Sequence, residues 1–145
     1  MAFEVSKTCA VKIAAALSAS VQEGVTADNP AKLIIYSGKI PDNPDDAAGE
    51  GQLAVFNLAN PAFSDAVFAN NGGYIALNNV PPVQALDNGT ASFFRMLDGT
   101  GKAVCQGTVT NIEGNGDVKV SSTSIIKGID VTIVSYTMTY PAYID

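Results

Sequence analysis

Residues 88–140 consist of β-prone runs that are separated by short turn-forming sequences. Residues 88–97 and 102–110 are two such runs, and the sequence Asp98-Gly99-Thr100-Gly101 lies between them. Gly and Asp readily adopt the backbone angles that the turn of a β-hairpin requires. The segment therefore predicts neighbouring antiparallel strands, and it favours an all-β fold over one in which helices alternate with strands.

The final run of this segment has the clearest two-residue period in the chain. Successive residues of a strand point to opposite faces of the sheet, so alternate residues share a face. We expect one face to lie mostly in the core and the other to lie mostly at solvent or at an interface. The first face comprises Thr132, Val134, Tyr136, Met138 and Tyr140, and the second comprises Ile133, Ser135, Thr137 and Thr139.

Three further β-prone runs precede this segment, at residues 32–36, 53–58 and 74–77. The first run is apolar at successive positions, as expected of a central strand with both faces buried. Together the runs predict about seven or eight short strands. The predicted fold class is all-β: an antiparallel β-sandwich or jelly roll with one N-terminal α-helix.

Residues 3–21 show the period of an amphipathic helix. Gly24 follows at a position where a left-handed residue commonly ends a helix. We assign residues 1–24 to the helix and residues 25–145 to a β-sandwich domain. The helix either covers an edge of the sandwich or attaches to a neighbouring subunit. Its predicted apolar stripe comprises Ser6, Ala10, Ile13, Leu17 and Val21.

Charged residues are scarce and mostly acidic. The chain has 14 acidic and 8 basic residues, a net charge of −6, and a charged fraction of 15%. This net charge repels a phosphate backbone, so nucleic acid is not an expected partner. A surface with few charges suits packing against other proteins. No apolar run approaches the roughly 20 residues that span a bilayer, so no membrane partner is expected.

The N-terminal segment has some features of a signal peptide, but Lys12 interrupts its apolar part and Glu4 lies where positive charge is expected. We therefore expect a protein made in the cytosol, with Cys9 and Cys105 as reduced thiols. Both cysteines are expected to be small buried hydrophobes, and a disulfide between them is the less favoured alternative.

The lack of histidine in the sequence excludes Ser-His-Asp and Cys-His catalytic sites and removes imidazole as a metal ligand. Paired carboxylates can hydrolyse glycosides, and carboxylate oxygens can bind Ca²⁺. The loop of residues 39–51 has no aromatic platform and no EF-hand spacing, so we expect a solvated acidic loop. We predict no enzyme, no cofactor and no bound metal. The weak candidate for a cation site is the carboxylate cluster of this loop, Asp42, Asp45, Asp46 and Glu50.

Two adjacent aromatic residues, Phe93 and Phe94, cannot both face one core, because neighbours on a strand point in opposite directions. One ring needs a second covering surface, which the helix, another sheet edge or a partner subunit could provide. The predicted interface residues are Phe3, Ile13, Leu17, Phe93, Phe94, Tyr140 and Tyr143.

The order of several short motifs resembles that of small structural proteins of tailed bacteriophages. The resemblance extends over about residues 31–140, and Phe93 stands where the family pattern favours Trp. The motifs are Leu33-x-Ile35-Tyr36-x-Gly38-x-x-Pro41, Leu53-x-x-Phe56-x-Leu58, Pro61-x-Phe63, Gly89-Thr90-Ala91-x-x-Phe94-Arg95-x-x-Asp98-x-x-Gly101 and Gln106-Gly107-x-Val109.

The resemblance implies a virion component, made in the host cytoplasm, whose β-sandwich decorates or cements the capsid. Its implied partners are other virion proteins, in particular the major capsid protein, and further copies of itself as a homo-oligomer. One alternative is a structural subunit of the tail or of the head-to-tail connector. A second is a carbohydrate-binding or receptor-binding β module, against which the lack of Trp counts.

Overall fold

The computed structural model describes residues 3–142. Within them one helix precedes twelve strands, four of which have only two residues. The elements are α1 Lys7–Val21, β1 Lys32–Tyr36, β2 Gln52–Asn57, β3 Val67–Ala69, β4 Gly72–Ala76, β5 Val83–Gln84, β6 Gly89–Thr90, β7 Phe93–Leu97, β8 Ala103–Asn111, β9 Val118–Val120, β10 Ser124–Ile125, β11 Asp130–Val131 and β12 Ile133–Pro141.

Eight strands form one sheet in the order β2-β1-β7-β8-β9-β12-β4-β3, and two small sheets pair β10 with β6 and β11 with β5. The all-β class with an N-terminal helix is therefore confirmed. The two-residue strands were not distinguished in the sequence, because they are too short to show a period. The run predicted at residues 88–97 is divided between β6 and β7, which belong to different sheets.

One strand pair departs from the predicted antiparallel arrangement. Strands β8 and β9 are parallel, with Val109 beside Val118. The six residues between them turn the chain back along β8, which requires the loop to pack closely on that strand. A side chain at Gly116 would meet Thr110, and the Asp117 carboxylate accepts a hydrogen bond from the Thr108 amide at 3.0 Å. Such a short parallel connection is rare, and the turn residues alone did not indicate it.

The large sheet curves around a single main core. Phe94 on β7 contacts Tyr136 on β12 edge-to-face at 5.3 Å, although β8 and β9 lie between these strands in the sheet. In a flat sheet, three strand spacings would separate the rings by about 14 Å. The contact therefore requires the two halves of the sheet, one on each side of β8 and β9, to fold towards each other. This folding gives the molecule its sandwich-like form.

Strand β1 is buried on both faces, as its apolar sequence predicted. Leu33 and Ile35 belong to the main core, whereas Ile34 and Tyr36 belong to a second, smaller apolar cluster on the opposite face. Antiparallel neighbours β2 and β7 flank the strand on either side. Strand β1 thus lies between two apolar layers.

The alternation of β12 holds for only part of its length. Tyr136 is buried and Met138 packs against the main core, as predicted, but Val134 is 51% exposed. The pairing with β9 shifts between Ile133 and Ser135, so Val134 is the extra residue of a β-bulge. The strict two-residue period placed Val134 on the core face. The bulge breaks that period and turns the side chain outwards.

Helix α1 begins four residues later than predicted. The Ser6 side chain accepts a hydrogen bond from the Cys9 amide at 3.1 Å and caps the first turn. The predicted end is confirmed by Gly24, which has a φ of +70°. Ala10, Ala14 and Val21 are fully buried on the face that packs against the sheet.

Close backbone contacts hold the helix at both ends. At its start, a β-carbon on Gly73 of β4 would clash with the carbonyl oxygen of Ala10. At its end, a β-carbon on Gly99 would clash with the backbone of Gly24, and the Gly99 amide donates to the Glu23 carbonyl at 2.9 Å. The helix packs on β4, β12 and β3, so of its two predicted roles the structure favours covering the sheet.

The turn at residues 98–101 is braced by a buried carboxylate. Asp98 is 6% exposed, and its Oδ1 accepts hydrogen bonds from the amide and the hydroxyl of Thr100 and from the amide of Lys102. Desolvation raises the pKa of Asp98, but these hydrogen bonds and the Lys102 charge outweigh it and lower the pKa. The ionised side chain thus keeps the turn in position against the helix.

Replacement of Gly73 by Ala tests the seating of the helix. We expect the free energy of unfolding to fall by about 1–3 kcal/mol, because the new methyl group forces the helix away from β4. Ala15→Arg, on the exposed side of the helix, is the control and should change stability by less than about 0.5 kcal/mol, because Arg is also a good helix former. Urea unfolding measures both, and equal midpoints for Gly73→Ala and the wild type would contradict the close contact.

Candidate interaction surface

Phe93 and Phe94 are both 1% exposed, so the prediction that they lie at an interface with a partner is wrong. Phe94 lies in the main core. Phe93 lies in the second cluster, where its ring stacks on Tyr36 at 4.8 Å with an angle of 7° between the planes. The second covering surface that this pair requires is therefore part of the same chain.

That cover comes from residues 39–51, which we call the strap. Ile40 and Ala48 of the strap pack against the second cluster, together with Val55 and Leu97 of the sheet. The strap contains no helix or strand. Its position therefore depends on side chains that reach it from the sheet.

Arg95 on β7 and Gln106 on β8 hold the strap by its main chain. The Arg95 guanidinium donates to the carbonyl oxygens of Asp46 and Asn43, and Gln106 donates to that of Pro41 at 2.7 Å. Arg95 also donates to the Gln106 side-chain oxygen at 2.8 Å. Arg95 is 5% exposed, and its Nε has no partner among the described residues. A buried cation that binds three acceptors is costly to move, so Arg95 acts as a latch.

The four carboxylate residues of the predicted acidic loop are exposed on the strap. Asn43 accepts hydrogen bonds from the amides of Asp45 and Asp46, as in a turn. Within residues 3–142, no group of three or more acidic or thiol side chains could hold a metal ion. The four exposed carboxylate residues of this loop are Asp42, Asp45, Asp46 and Glu50.

The remaining predicted interface residues differ in exposure. Phe3 is 89% exposed ahead of the helix, and Tyr140 is 37% exposed. Ile13 is partly buried, and Leu17 packs against the main core, which makes it a structural residue of the helix. Tyr143 lies outside the described residues.

The sequence interpretation missed an apolar surface at one end of the molecule. Leu86, Ile126 and Ile129 are 52%, 58% and 60% exposed, and we call these three residues the end patch. Two hydrogen bonds connect their loops: the Ala85 amide donates to the Ile129 carbonyl, and the Gly128 amide donates to the Ala85 carbonyl, each at 2.9 Å. The patch is therefore assembled from segments about 40 residues apart in the sequence. The sequence did contain a signal for this surface. Exposed turns are usually polar, but here Ile126 and Ile129 lie on either side of the turn residue Gly128.

A shallow cavity of about 210 Å³ lies beside the end patch. Ile126 and Ile129 form part of its wall, together with Ile125, Val131 and Asp130. Charges of both signs flank the patch, because Lys127 and Asp87 are exposed on the same two loops. Ser121, Ser122 and Ser124 also line the cavity, and its aliphatic wall suits contact with another apolar surface.

The two cysteines are free thiols, and the expectation that both are buried is wrong for Cys9, which is exposed on the outer side of the helix. Cys105 is largely buried. Burial raises the pKa of the Cys105 thiol to about 11, with a further increase from the Asp117 charge and an opposing hydrogen bond with Tyr136. Because the unfolded thiol ionises first, the folded state loses stability as the pH rises from about 9 towards 11.

None of the described helices is long and apolar enough to cross a membrane. No protein-family model, no curated protein and no solved structure matches the chain.

Arg95→Met tests the latch. The variant keeps the length of the side chain but leaves the strap carbonyls without their donor, so the strap should open more often. We expect trypsin to cleave after Lys39, at the start of the strap, about ten-fold faster or more. Lys12→Met removes an exposed cation on the helix and should leave this rate unchanged. Equal cleavage rates in the Arg95 variant and the wild type would show that the latch does not hold the strap.

Thiol labelling tests the environment of Cys105. In a Cys9→Ser variant at pH 8, an aromatic disulfide reagent should label native Cys105 about 100-fold more slowly than the unfolded chain. A thiol with a pKa of about 11 is ionised in only about one molecule in a thousand at this pH. Labelling of the native protein at the unfolded rate would contradict the burial of this thiol.

Proposed function

We propose that this protein is a structural subunit of a tailed-phage virion that decorates the capsid through protein–protein contacts. The observation that carries the proposal is the end patch, where three aliphatic side chains are each more than half exposed. Contiguous exposed apolar surface costs free energy in water and commonly marks a contact with another protein. The patch therefore indicates assembly as the function of this domain.

The loops that carry the patch are ordered before any partner binds. Besides the two bonds between their main chains, the Lys127 amide donates to the Asn88 side chain at 2.9 Å, and the Ile129 amide donates to the Ile126 carbonyl at 3.0 Å. A surface that is already ordered loses little conformational entropy on binding. This favours a constitutive structural contact over a flexible recognition loop.

The motif residues on which the phage resemblance depends have structural roles in this fold. Ile35, Phe56 and Phe94 are buried in the main core, and Arg95 and Gln106 form the latch of the strap. A chain that shared these residues would need them for the same architecture. This supports kinship with the phage proteins at the level of the β domain.

The acidic, charge-poor surface also suits assembly on a shell with many identical sites. Each subunit can make modest contacts there, because the high local concentration of neighbours strengthens binding. Phe3, which is 89% exposed ahead of the helix, is an apolar residue available to the capsid protein. We include it in the proposed shell contact.

Co-sedimentation with expanded capsid shells tests the proposal. The wild-type chain should bind the shells and raise their melting temperature. Ile126→Asp with Ile129→Asp should reduce the bound fraction about ten-fold or more, because the variant loses the apolar contacts by which bound subunits strengthen one another's binding on the shell. The matched control is Ile112→Asp, at a residue that is 59% exposed on a different loop and should bind as the wild type does.

Two results would contradict capsid decoration. A chain that is absent from heads but present in purified tails would be a tail or connector subunit. Binding on a glycan array that the double Asp variant retains would indicate a carbohydrate-binding module that acts through another surface.

A further inference from the structure

We propose that the end patch pairs with the end patch of a second copy of this chain. The inference rests on the proposed function, since it names the partner that covers the patch of an assembling subunit. Two properties of the patch, its charge and its shape, point to a second copy.

The charges around the patch complement each other. Lys127 lies between Ile126 and Gly128, while Asp87 follows Leu86 and Asp130 follows Ile129. All three charged residues are exposed. The whole chain has 14 acidic and 8 basic residues, so most of its surface repels a second copy, whereas this patch carries both signs. A two-fold arrangement can therefore place Lys127 of each copy beside an acidic residue of the other.

The shape of the patch is also suited to self-pairing. A two-fold interface requires a projecting part and a receiving part within the same surface, because each copy supplies both. Ile126 and Ile129 are exposed, and they also border the cavity of about 210 Å³, whose wall further includes Ile125, Val131, Asp130 and three serines. An isoleucine of one copy can thus enter the cavity of the other in both directions at once.

The contact is small, and this determines its strength. A stable interface commonly includes about 20–30 residues on each side, and the end patch with its flanking charges has six. The purified chain should therefore be mostly monomeric when dilute and should pair at high concentration. On a shell, neighbouring subunits are held at high local concentration, so the same weak contact becomes effective.

A charge exchange tests this pairing. Sedimentation equilibrium of the wild-type chain, up to millimolar concentration and at low salt, should show self-association. Lys127→Glu, and separately Asp87→Lys with Asp130→Lys, should each weaken it about ten-fold, because like charges then meet. A mixture of these two variants should associate at least as well as the wild type, since each cation again faces an anion. Lys12→Glu on the helix changes the net charge as Lys127→Glu does and should retain self-association.

Three results would overturn the inference: a wild-type chain that stays monomeric, a mixture that fails to recover association, or unchanged association of Ile126→Asp. These outcomes are independent of shell binding. Self-association without shell binding would contradict only the proposed function, and shell binding by a chain that never pairs would contradict only this inference.

Discussion

Phe93 and Phe94 are neighbours on one strand and therefore point to opposite faces of the sheet, and the chain must shield both rings from water. Burial of each ring contributes about 1.5–3 kcal/mol. Phe94 contacts Tyr136 and lies in the core around which the large sheet curves. Phe93 stacks on Tyr36 and requires a second layer, which the strap supplies. The curvature of the sheet and the path of residues 39–51 both follow from this pair.

The sheet holds the strap by its main chain. Arg95 and Gln106 donate hydrogen bonds to main-chain carbonyls, which every residue type possesses. The acidic side chains of Asp42 and Asp45 are consequently not needed to position the loop. Their carboxylates remain in water, where ionised groups are best solvated, and the apolar residues Ile40 and Ala48 provide the cover.

The helix completes the other half of the molecule. Its small residues Ala10 and Ala14 allow the helix backbone to approach β4, and Gly73 removes the side chain that would prevent this contact. The helix is therefore fixed to the sheet and cannot extend as an arm in this conformation. The end patch and Phe3 are among the apolar side chains that remain exposed. The proposed contacts are assigned there because the patch residues lie on two hydrogen-bonded loops and Phe3 is 89% exposed.

The sequence by itself determined the local features of this protein. Alternating residues predicted two core positions of β12, Tyr136 and Met138, turn residues marked the hairpin at residues 98–101, and Gly24 marked the end of the helix. The sequence also required a second cover over Phe93 or Phe94, because neighbouring residues of any strand point to opposite faces. Only the tertiary structure decided which segment provides that cover, how β8 and β9 pair, and that the loop of Leu86 lies beside the loop of Ile126 and Ile129. These arrangements join segments far apart in the chain, and a local pattern of residues does not contain the distances between them.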